Sequence, residues 1–413
     1  MQPITLLTDK RIILGVTGSI AVYKAVDLAS KLTQAGAQVD VIMTASAKQF
    51  VAPITFQAVT GRPVYDDLWQ SDSSGGLPTH IAHVGLGEGA DLMVIAPITA
   101  NTMARLAHGF ADDLLTVTAL AARCPLMIAP AMDGGMYEHP ATQENLKILT
   151  ERGVYLIEPE EGRFASGLVG RGRLPETPTL LGHIRRQLGQ EYGILAGKKV
   201  VVTAGGTREA IDPVRYITNR SSGKQGFAIA QAAVDAGADV VLISTIDTQP
   251  VPVGATFIPV ESAEAMGDAV LASLDNATAL VMAAAVADFK PTTVADQKIK
   301  KSKDSSEGLT IQLTRTSDIL LSVKNYRADH GFPLVIVGFA AESQNLLENA
   351  QGKLERKGLD FILANDITAT DAGFQVDTNR VTLLDAVQGR EDLDLMSKSH
   401  IGELIMQRIA TRL

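Results

Sequence analysis

The sequence predicts an α/β protein of two Rossmann-like domains with mostly parallel sheets. The main observation is a repeat: residues 198–245 follow, with one insertion, the pattern of residues 10–44. Each copy runs through a buried β-branched strand, a Gly/Ser/Thr turn, a helix that stops at Ala-Gly-Ala and a second buried strand. Further short apolar runs follow both copies, each with turn residues behind it. Strands and helices that alternate in this way favour parallel sheets covered by helices.

In the first half, the helix after the first strand has a face of small residues, which lets it lie close on a sheet. That face contains Ala21, Ala25, Leu28, Ala29 and Leu32. Two apolar runs, residues 92–96 and 126–129, predict further strands. The polar stretch 185–193 is interpreted as a connection between the last helix of this half and the first strand of the next. The predicted domains are therefore residues 1–190 and 191–413.

In the second half, further strands are predicted at residues 279–283, 334–337, 361–364 and 381–384. The chain then closes with an amphipathic helix, whose apolar positions are Ile401, Leu404, Ile405 and Ile409. The repeat in this half carries 13 extra residues, because 25 positions separate Lys10 from Ala35 and 38 separate Lys198 from Ala236. The surplus, residues 208–223, is too polar for a core and too long for an ordinary turn, and such loops are usually functional.

In each βαβ unit, the turn after the first strand directs backbone N–H groups and the positive end of a helix at one point, which suits a phosphate. Each half therefore has a candidate nucleotide site. Neither turn is a standard fingerprint: the first lacks the third glycine of the dinucleotide motif, and residues 221–224 do not complete a Walker loop. Composition alone does not name the ligand.

The charge balance and the cysteine count limit the class of protein. Counting 37 Lys and Arg against 46 Asp and Glu gives a net charge of −9, so a broad basic face for nucleic acid is not expected. The single cysteine, Cys124, excludes an internal disulfide framework and fits a reducing compartment. The first ten residues are too polar for a signal peptide, and no apolar run reaches the ~18 residues of a membrane span. We expect a cytoplasmic protein with small-molecule ligands and no nucleic-acid or membrane partner.

Candidate site segments follow the strands of the first half. Residues 97–101 come directly after a strand, where open α/β sheets bind ligands, although a proline turn with an asparagine cap explains part of the pattern. Residues 130–137 would face the same crevice, and core packing is the alternative for their two methionines. Residues 162–173 contain four glycines and three arginines, as a flap over an anionic substrate or a solvated loop would. Of the nearby histidines, His83 gains weight from its position between a flexible stretch and a strand.

In the second half, Asp288 follows a strand, and residues 298–301 form a lysine-rich run. Such runs are usually a solvated face. This run, however, lies in an acidic protein beside a strand end, so a triphosphate site is an alternative. Lys353 and Lys357, four residues apart, share a helix face and could reach the same ligand.

Taken in order, these motifs resemble the bifunctional enzymes of coenzyme A biosynthesis, in which phosphopantothenoylcysteine decarboxylase is joined to phosphopantothenate-cysteine ligase. The resemblance covers essentially the whole chain. The turn at Gly18 and Ser19 and residues 97–101 and 130–132 are similar to the flavin domain. Five ordered segments are similar to the ligase domain: residues 205–209, 219–224, 283–288, 298–301 and 338–342.

The resemblance implies that the first half binds FMN, oxidises the cysteine thiol of 4′-phosphopantothenoylcysteine to a thioaldehyde, loses CO₂ and returns the hydride. It implies catalytic roles for His83, Asp133 and Ser166. Asp133 stands where relatives often have asparagine, and Ser166 stands where they have the flap cysteine. The implied FMN contacts are Gly18, Ser19, Thr44, Ser46, Thr99 and Asn101.

The resemblance implies that the second half first condenses 4′-phosphopantothenate with cysteine through an acyl-cytidylate, using CTP and Mg²⁺. Asn219 would handle this intermediate, and Lys298 would stabilise its charge. Residues 316–318 read Thr-Ser-Asp where many relatives have Asn-Pro-Asp. No metal ligand is assigned, and a homo-oligomer is expected. The implied nucleotide contacts are Ala283, Ala284, Asp288, Ser317, Asp318, Ile319, Phe339, Lys353 and Lys357.

Two other classes of protein stay open. A flavin-binding regulatory protein could keep the fold and act by protein association, although the completeness of the ligase segments argues against it. An NAD-linked oxidoreductase is disfavoured because the GxGxxG pattern is missing.

Overall fold

The computed structural model of the protein describes residues 3–68, 82–163, 167–300, 309–342, 345–366 and 376–413. The chain folds into two compact units, Met1–Leu188 and Gly189–Leu413. Each unit contains a mainly parallel sheet with helices on both faces, so the predicted fold class is confirmed. Within the described ranges, none of the helices combines the length and the apolar character needed to cross a membrane.

In the described part of the first unit, six parallel strands form one sheet in the order β3-β2-β1-β4-β5-β6. This is the strand order of a dinucleotide-binding Rossmann fold. The strands are β1 (Arg11–Val16), β2 (Gln38–Met43), β3 (Val64–Tyr65), β4 (Leu92–Ile98), β5 (Leu126–Pro130) and β6 (Tyr155–Leu156). All seven residues of β4 are buried, as a strand covered on both faces requires. The strands predicted at 92–96 and 126–129 are thus confirmed.

Helices cover both faces of this sheet. They are α1 (Val22–Gln34), α2 (Pro53–Thr60), α3 (Ala82–Glu88), α4 (Ala100–His108), α5 (Leu114–Ala121), α6 (Gly134–Tyr137), α7 (Pro140–Glu151) and α8 (Thr177–Tyr192). One core cluster contains side chains of α1, α2 and α8, and the other contains side chains of α3, α4, α5 and α7. An antiparallel hairpin, β7 (Glu160–Arg163) and β8 (Val169–Arg173), lies outside the sheet at the predicted flap.

The segment 185–193 is not the connection that its polarity suggested. It forms the last turns of α8, which continues to Tyr192. Leu180, Ile184 and Leu188 are buried at intervals of four residues, so one apolar face runs on through the polar sequence. The prediction of a connection here is wrong because the polar composition of these residues hides the four-residue spacing of the buried side chains.

The second unit repeats the architecture. Its described strands are β9 (Lys199–Ala204), β10 (Arg208–Ala210), β11 (Tyr216–Thr218), β12 (Asp239–Ser244), β13 (Thr256–Pro259), β14 (Ala279–Met282), β15 (Phe289–Pro291), β16 (Leu313–Arg315), β17 (Val335–Glu342), β18 (Phe361–Asp366), β19 (Thr378–Asn379), β20 (Val381–Asp385), β21 (Gly389–Asp392) and β22 (Met396–Ser397). Eight of them form a sheet in the order β13-β12-β9-β14-β17-β18-β20-β21. The pairs β18–β20 and β20–β21 are antiparallel, and the other pairs are parallel.

The helices of this unit are α9 (Lys224–Asp235), α10 (Ala263–Ser273), α11 (Ile319–His330), α12 (Leu346–Lys357) and α13 (Lys398–Ala410). Side chains of α9 and α13 pack in one core cluster, and side chains of α10, α11 and α12 pack in the other. Gly36 and Gly237 follow α1 and α9 with φ of 103° and 87°, so the Ala-Gly-Ala stops work as predicted. The 13-residue surplus of the second repeat lies in a hairpin, β10 and β11, between β9 and α9.

Candidate active sites

At the carboxyl edge of the first sheet, the turn after β1 contacts the loop after β2. A Cβ atom added to Gly18 would lie 2.4 Å from Cβ of Ser46, so only glycine allows this approach. Thr44 continues the pairing, because its backbone N–H donates to the carbonyl of Val16 at 3.0 Å. Gly18, Thr44 and Ser46, three of the predicted flavin contacts, therefore lie together.

A buried threonine connects the loop after β4 to the same turn. Thr17 Oγ1 donates to the carbonyl of Pro97 at 2.9 Å and accepts from the backbone N–H of Thr99 at 3.0 Å. Thr99 in turn caps α4, with its Oγ1 accepting from the N–H of Thr102 at 3.4 Å, and Asn101 is exposed in the first turn of α4. Thr17 was not predicted as a site residue, although its position between Gly15 and Gly18 is a local signal.

These loops fit a phosphate-bearing cofactor. Ser19, Thr44 and Ser46 carry hydroxyl groups that are partly or fully exposed at this edge. In the described residues no side chain caps the N-terminus of the 13-residue helix α1, which begins three residues after Ser19. The first N–H groups of such a helix are donors for an anion.

The structure describes two of the three predicted catalytic residues of the first unit. His83 is partly exposed on α3, and the described part of the chain shows no hydrogen bond from it to the predicted flavin contacts. Asp133 is the N-cap of α6, where its Oδ1 accepts from the N–H of Gly135 at 3.0 Å. Ser166 lies outside the described residues.

The β7–β8 hairpin is fastened to the loop that contains Asp133. The N–H of Met132 donates to the carbonyl of Gly172 at 3.0 Å, and a Cβ atom on Gly172 would lie 2.4 Å from the carbonyl oxygen of Met132. Beyond β8, the buried ammonium of Lys24 donates to the carbonyl of Leu174 at 2.7 Å and to Glu176 at 2.9 Å. The hydrogen bond from Lys24 lowers the pKa of Glu176 below its usual range.

In the second unit, a cavity of about 920 Å³ lies at the carboxyl ends of the strands. It brings together segments that are far apart in the sequence. The predicted residues that line it are Asn219, Ala283, Ala284, Asp288, Ser317, Asp318, Ile319, Phe339, Lys353 and Lys357. Further residues in its wall, which the sequence analysis did not select as site residues, are Lys224, Asn365, Asn379 and Lys398.

Hydroxyl and amide groups fix the loop after β14 at the cavity wall. Thr203 Oγ1 accepts from the N–H of Ala284 at 3.1 Å, and Thr207 Oγ1 accepts from the N–H of Ala287 at 2.9 Å. Asn219 Nδ2 lies 3.2 Å from the carbonyl oxygens of both residue 285 and residue 286. The position of the Asn219 amide is therefore set before any ligand enters.

Two lysines of α12 and two residues of neighbouring elements form one side of the cavity. Lys353 Nζ donates to the carbonyl of Phe339 at 2.6 Å, and Lys357, which is 7% exposed, forms an ion pair with Asp318. Burial lowers the pKa of Lys357, and the charge of Asp288 opposes this shift. The helix face that the sequence predicted for these lysines therefore forms part of the charged wall of the cavity.

Lys298 is exposed and is not among the residues that line the cavity. Its neighbour Ile299 is held by Asp212 and Arg215 of the β10–β11 hairpin, two residues that the sequence analysis did not select. In the described ranges, no group of three or more His, Cys, Asp or Glu side chains is arranged to hold a metal ion.

Comparison with known proteins matches both units. Residues 3–189 match the family described as "Flavoprotein", and residues 195–413 match the "DNA/pantothenate metabolism flavoprotein C-terminal domain". The coenzyme A biosynthesis bifunctional protein CoaBC of Bacillus subtilis (strain 168) is 46% identical over 407 residues, which is 98% of each chain. The protein of the same name from Vibrio cholerae serotype O1 is 44% identical over 403 residues, again 98% of each chain.

A crystal structure of the C-terminal domain of CoaBC is 36% identical, with a TM-score of 0.44, and covers 53% of this chain and 97% of that one. The identity over the full length of the curated relatives, together with the two family matches, confirms the resemblance predicted from the motifs. The chain therefore belongs to the family of the bifunctional coenzyme A biosynthesis proteins, CoaBC.

Proposed function

We propose that residues 191–413 ligate 4′-phosphopantothenate with cysteine at the expense of CTP, and that residues 1–190 decarboxylate the product, 4′-phosphopantothenoylcysteine, to 4′-phosphopantetheine with FMN. The observation that carries the ligase assignment is the cavity of the second unit, which gathers side chains from three of the five segments similar to ligases. Membership of a bifunctional coenzyme A biosynthesis family supports both reactions.

In the ligase reaction, the chain has to bind a triphosphate and a carboxylate and then stabilise an acyl-cytidylate. Lys353 and Lys357 supply positive charge at one side of the cavity, where a nucleotide triphosphate fits. Asn219, held by two backbone carbonyls, orients the acyl group, and Lys298 meets the negative charge that develops on it. Mg²⁺ would be bound mainly through the phosphate oxygens of CTP, and Asp288 and Asp318 are the carboxylates in the cavity wall that would help to hold it.

In the decarboxylation, bound FMN supplies the reversible oxidation of the substrate thiol. This cofactor would be held by Gly18, Ser19, Thr44, Ser46, Thr99 and Asn101, and the N-terminus of α1 would bind its phosphate. His83 acts on the substrate as acid and base. Ser166 is far less acidic than a thiol of pKa ~8.5 and is a poor direct donor, so the proton of the product would come through ordered water or another residue of the segment 162–173.

The test uses the purified full chain. Release of CMP should require CTP, Mg²⁺, 4′-phosphopantothenate and cysteine together, and the absorbance spectrum should be that of an oxidised flavin. Supplied 4′-phosphopantothenoylcysteine should give several equivalents of CO₂ per flavin under anaerobic conditions. A single equivalent followed by a persistently bleached spectrum would show that the return of the hydride is lost. A protein without CTP-dependent turnover or decarboxylation would instead indicate a regulatory protein.

We also propose a cytoplasmic location and a homo-oligomeric assembly. The support for the location is the cysteine content: the chain has a single cysteine, Cys124, and so no internal disulfide framework, which fits a reducing compartment. The assembly is an expectation from the family, and the mass of the protein in solution tests it.

A further inference from the structure

The carboxylate of Asp212, in the loop between β10 and β11, is fully buried and accepts hydrogen bonds on both oxygens. Oδ1 accepts from the N–H groups of Val214 and Arg215, each at 2.9 Å. Oδ2 accepts from Nε of Arg215 at 3.0 Å, from Nη2 of the same guanidinium and from the N–H of Ile299 at 3.1 Å. A buried carboxylate with this many donors is a structural centre, because removing it leaves all of them unpaired.

Through these bonds, Asp212 connects the hairpin to the segment that contains Lys298. Besides the bond from its N–H to Asp212, Ile299 accepts through its carbonyl from Nη2 of Arg215 at 2.9 Å. Four residues earlier, the N–H of Ala295 donates to the carbonyl of Ile211 at 3.0 Å. The main chain on both sides of Lys298 is thus fastened to residues 211–215.

The same hairpin leads directly to Asn219, one residue after β11. A Cβ atom on Gly206 would lie 2.7 Å from the carbonyl oxygen of Asn219, so this residue is packed tightly against the turn after β9. Asp212 therefore lies between two segments whose side chains must act on one intermediate.

We propose that Asp212 is a positioning residue for the ligation, which fixes the Lys298 segment relative to Asn219 through the main chain of Ile299. The proposal rests on the proposed ligase function and adds to it a residue that does not touch substrate. Catalysis of this kind is sensitive to position, since a misplacement of ~1 Å can lower a rate by roughly a hundredfold.

Replacing Asp212 with asparagine keeps the size and shape of the side chain but turns one of its two hydrogen-bond acceptors into a donor. Because both oxygens of Asp212 accept from N–H groups, the NH₂ group of an asparagine would face at least two donors in either orientation. The guanidinium of Arg215, followed by the backbone N–H groups, holds the pKa of Asp212 far below its usual range, so the wild-type residue is ionised at every working pH.

The matched control is Asp392→Asn on β21. Asp392 also accepts from a guanidinium, that of Arg390, at 3.0 and 2.7 Å, and from the hydroxyl of Thr382 at 2.7 Å, but it is exposed and does not line the cavity. Both variants are made in the full chain, so that decarboxylation of supplied 4′-phosphopantothenoylcysteine reports on the other unit.

For Asp212→Asn, kcat for CMP formation should fall by roughly ten- to a hundredfold, while KM for CTP changes less than about threefold. Trypsin should cut after Lys298 and Lys300 faster than in the wild type. Asp392→Asn should match the wild type in all of these measurements. If Asp212→Asn does not fold, as shown by circular dichroism, Arg215→Lys takes its place, because lysine lacks the Nε–H group that donates to Asp212 and the fixed planar geometry of the guanidinium.

The two proposals fail in different ways. A wild-type chain that forms no CMP from CTP, 4′-phosphopantothenate and cysteine would overturn the ligase assignment itself. An active wild type with an unchanged kcat in the folded variant would overturn only the role of Asp212. A rise in KM for CTP without a change in kcat would also overturn the role of Asp212, because it would show that the residue acts on substrate binding.

Discussion

Three buried threonine hydroxyls fix the loops of the two candidate sites. Thr17 holds the loop after β4, and Thr203 and Thr207 hold the loop after β14; each of the three is at most 1% exposed. Moving these loops would leave buried polar groups unpaired, which costs about 1–3 kcal/mol for each group. None of the three was predicted as a site residue, although Thr207 lies in the ligase-like segment 205–209, since a threonine near a strand end serves equally well in an ordinary turn.

Lys298→Gln should lower CMP formation by roughly a hundredfold, because a positive charge facing the acyl-cytidylate is commonly worth ~3 kcal/mol. The change is measured as kcat at saturating CTP. Lys300→Gln, two residues along the same exposed segment, is the control and should retain activity. Equal losses in both variants would mean that the segment contributes only general positive charge.

Asp133→Asn should preserve or strengthen the binding of 4′-phosphopantothenoylcysteine to the first unit. An ionised Asp133 at ~4 Å from the substrate carboxylate would repel it by about 4 kcal/mol at an effective dielectric constant near 20. Its bond to the N–H of Gly135 needs only a carbonyl oxygen, which asparagine also supplies. Affinity is measured by titration of the flavin absorbance, and a large loss would show that the carboxylate itself serves the reaction.

At the scale of elements, the apolar strands were predictable and the polar hairpins were not. β4, β5, β18 and β20 contain the runs selected from the sequence, and β14 and β17 match their runs to within one residue, since a strand buried on both faces has a continuous apolar pattern. The pairings of β7 with β8 and of β10 with β11 join polar residues and depend on contacts made elsewhere in the fold. Asp212 was not predicted for the same reason, because the sequence does not distinguish a buried aspartate from an exposed one.

Gly172→Ala should lower the decarboxylation rate by roughly tenfold and leave CMP formation unchanged. Gly172 has a φ of 147°, and its added Cβ would collide with the carbonyl oxygen of Met132, so the hairpin would have to leave the Asp133 loop. In the same hairpin, a Cβ on Gly162 would meet only the flexible side chain of Arg173, at 3.2 Å. Gly162→Ala should therefore be nearly neutral, and equal losses in the two variants would contradict this explanation.

The packing of α8 on β6 should make the first unit less stable in acid. Burial, with a smaller effect from Arg186, lowers the pKa of His183 to about 4, and its Nδ1 lies 3.0 Å from the hydroxyl of Tyr155. Above the unfolded pKa of about 6.5, both states are neutral, and His183 contributes no pH dependence. As the pH falls from 6.5 to 4, the unfolded state takes up a proton that the folded state does not, so the free energy of unfolding decreases.

His183→Asn keeps a polar atom near Tyr155 but does not titrate in this range. The variant should lose less stability than the wild type between pH 7 and pH 4.5, by about 1–2 kcal/mol after allowance for the partial exposure of the ring. Chemical denaturation at the two pH values measures the difference. Identical pH dependence in the two proteins would show that other groups dominate.

At the scale of the whole molecule, each unit places its candidate site at the carboxyl edge of a sheet with the same order for its first six strands. That placement was predictable, because ligands of open α/β sheets bind at this edge. The rest of the cavity wall was not predictable, since Asn365, Asn379 and Lys398 come from segments that carry no recognisable binding motif. Burial lowers the pKa of Lys398, a property that only the folded chain reveals.

A substitution in the first unit should abolish decarboxylation without affecting the ligase reaction of the second unit. Gly18→Val in the full chain should abolish the yellow flavin colour and the decarboxylation, because no side chain fits against Ser46, while CMP formation continues. Gly352→Ala on α12, where an added Cβ has nothing within 4 Å, should leave both activities intact. A flavin spectrum retained by Gly18→Val, or colour carried by an isolated fragment 191–413, would place the cofactor elsewhere.

The way Ile299 is held has a consequence for mutational tolerance. The hydrogen bonds from Asp212 and Arg215 engage its N–H and its carbonyl, and proline alone lacks the N–H. We expect that a library of all substitutions at position 299, selected in cells whose growth depends on the ligase activity, retains most residues and loses proline. At position 212, where the carboxylate itself makes the contacts, the same selection should retain aspartate alone.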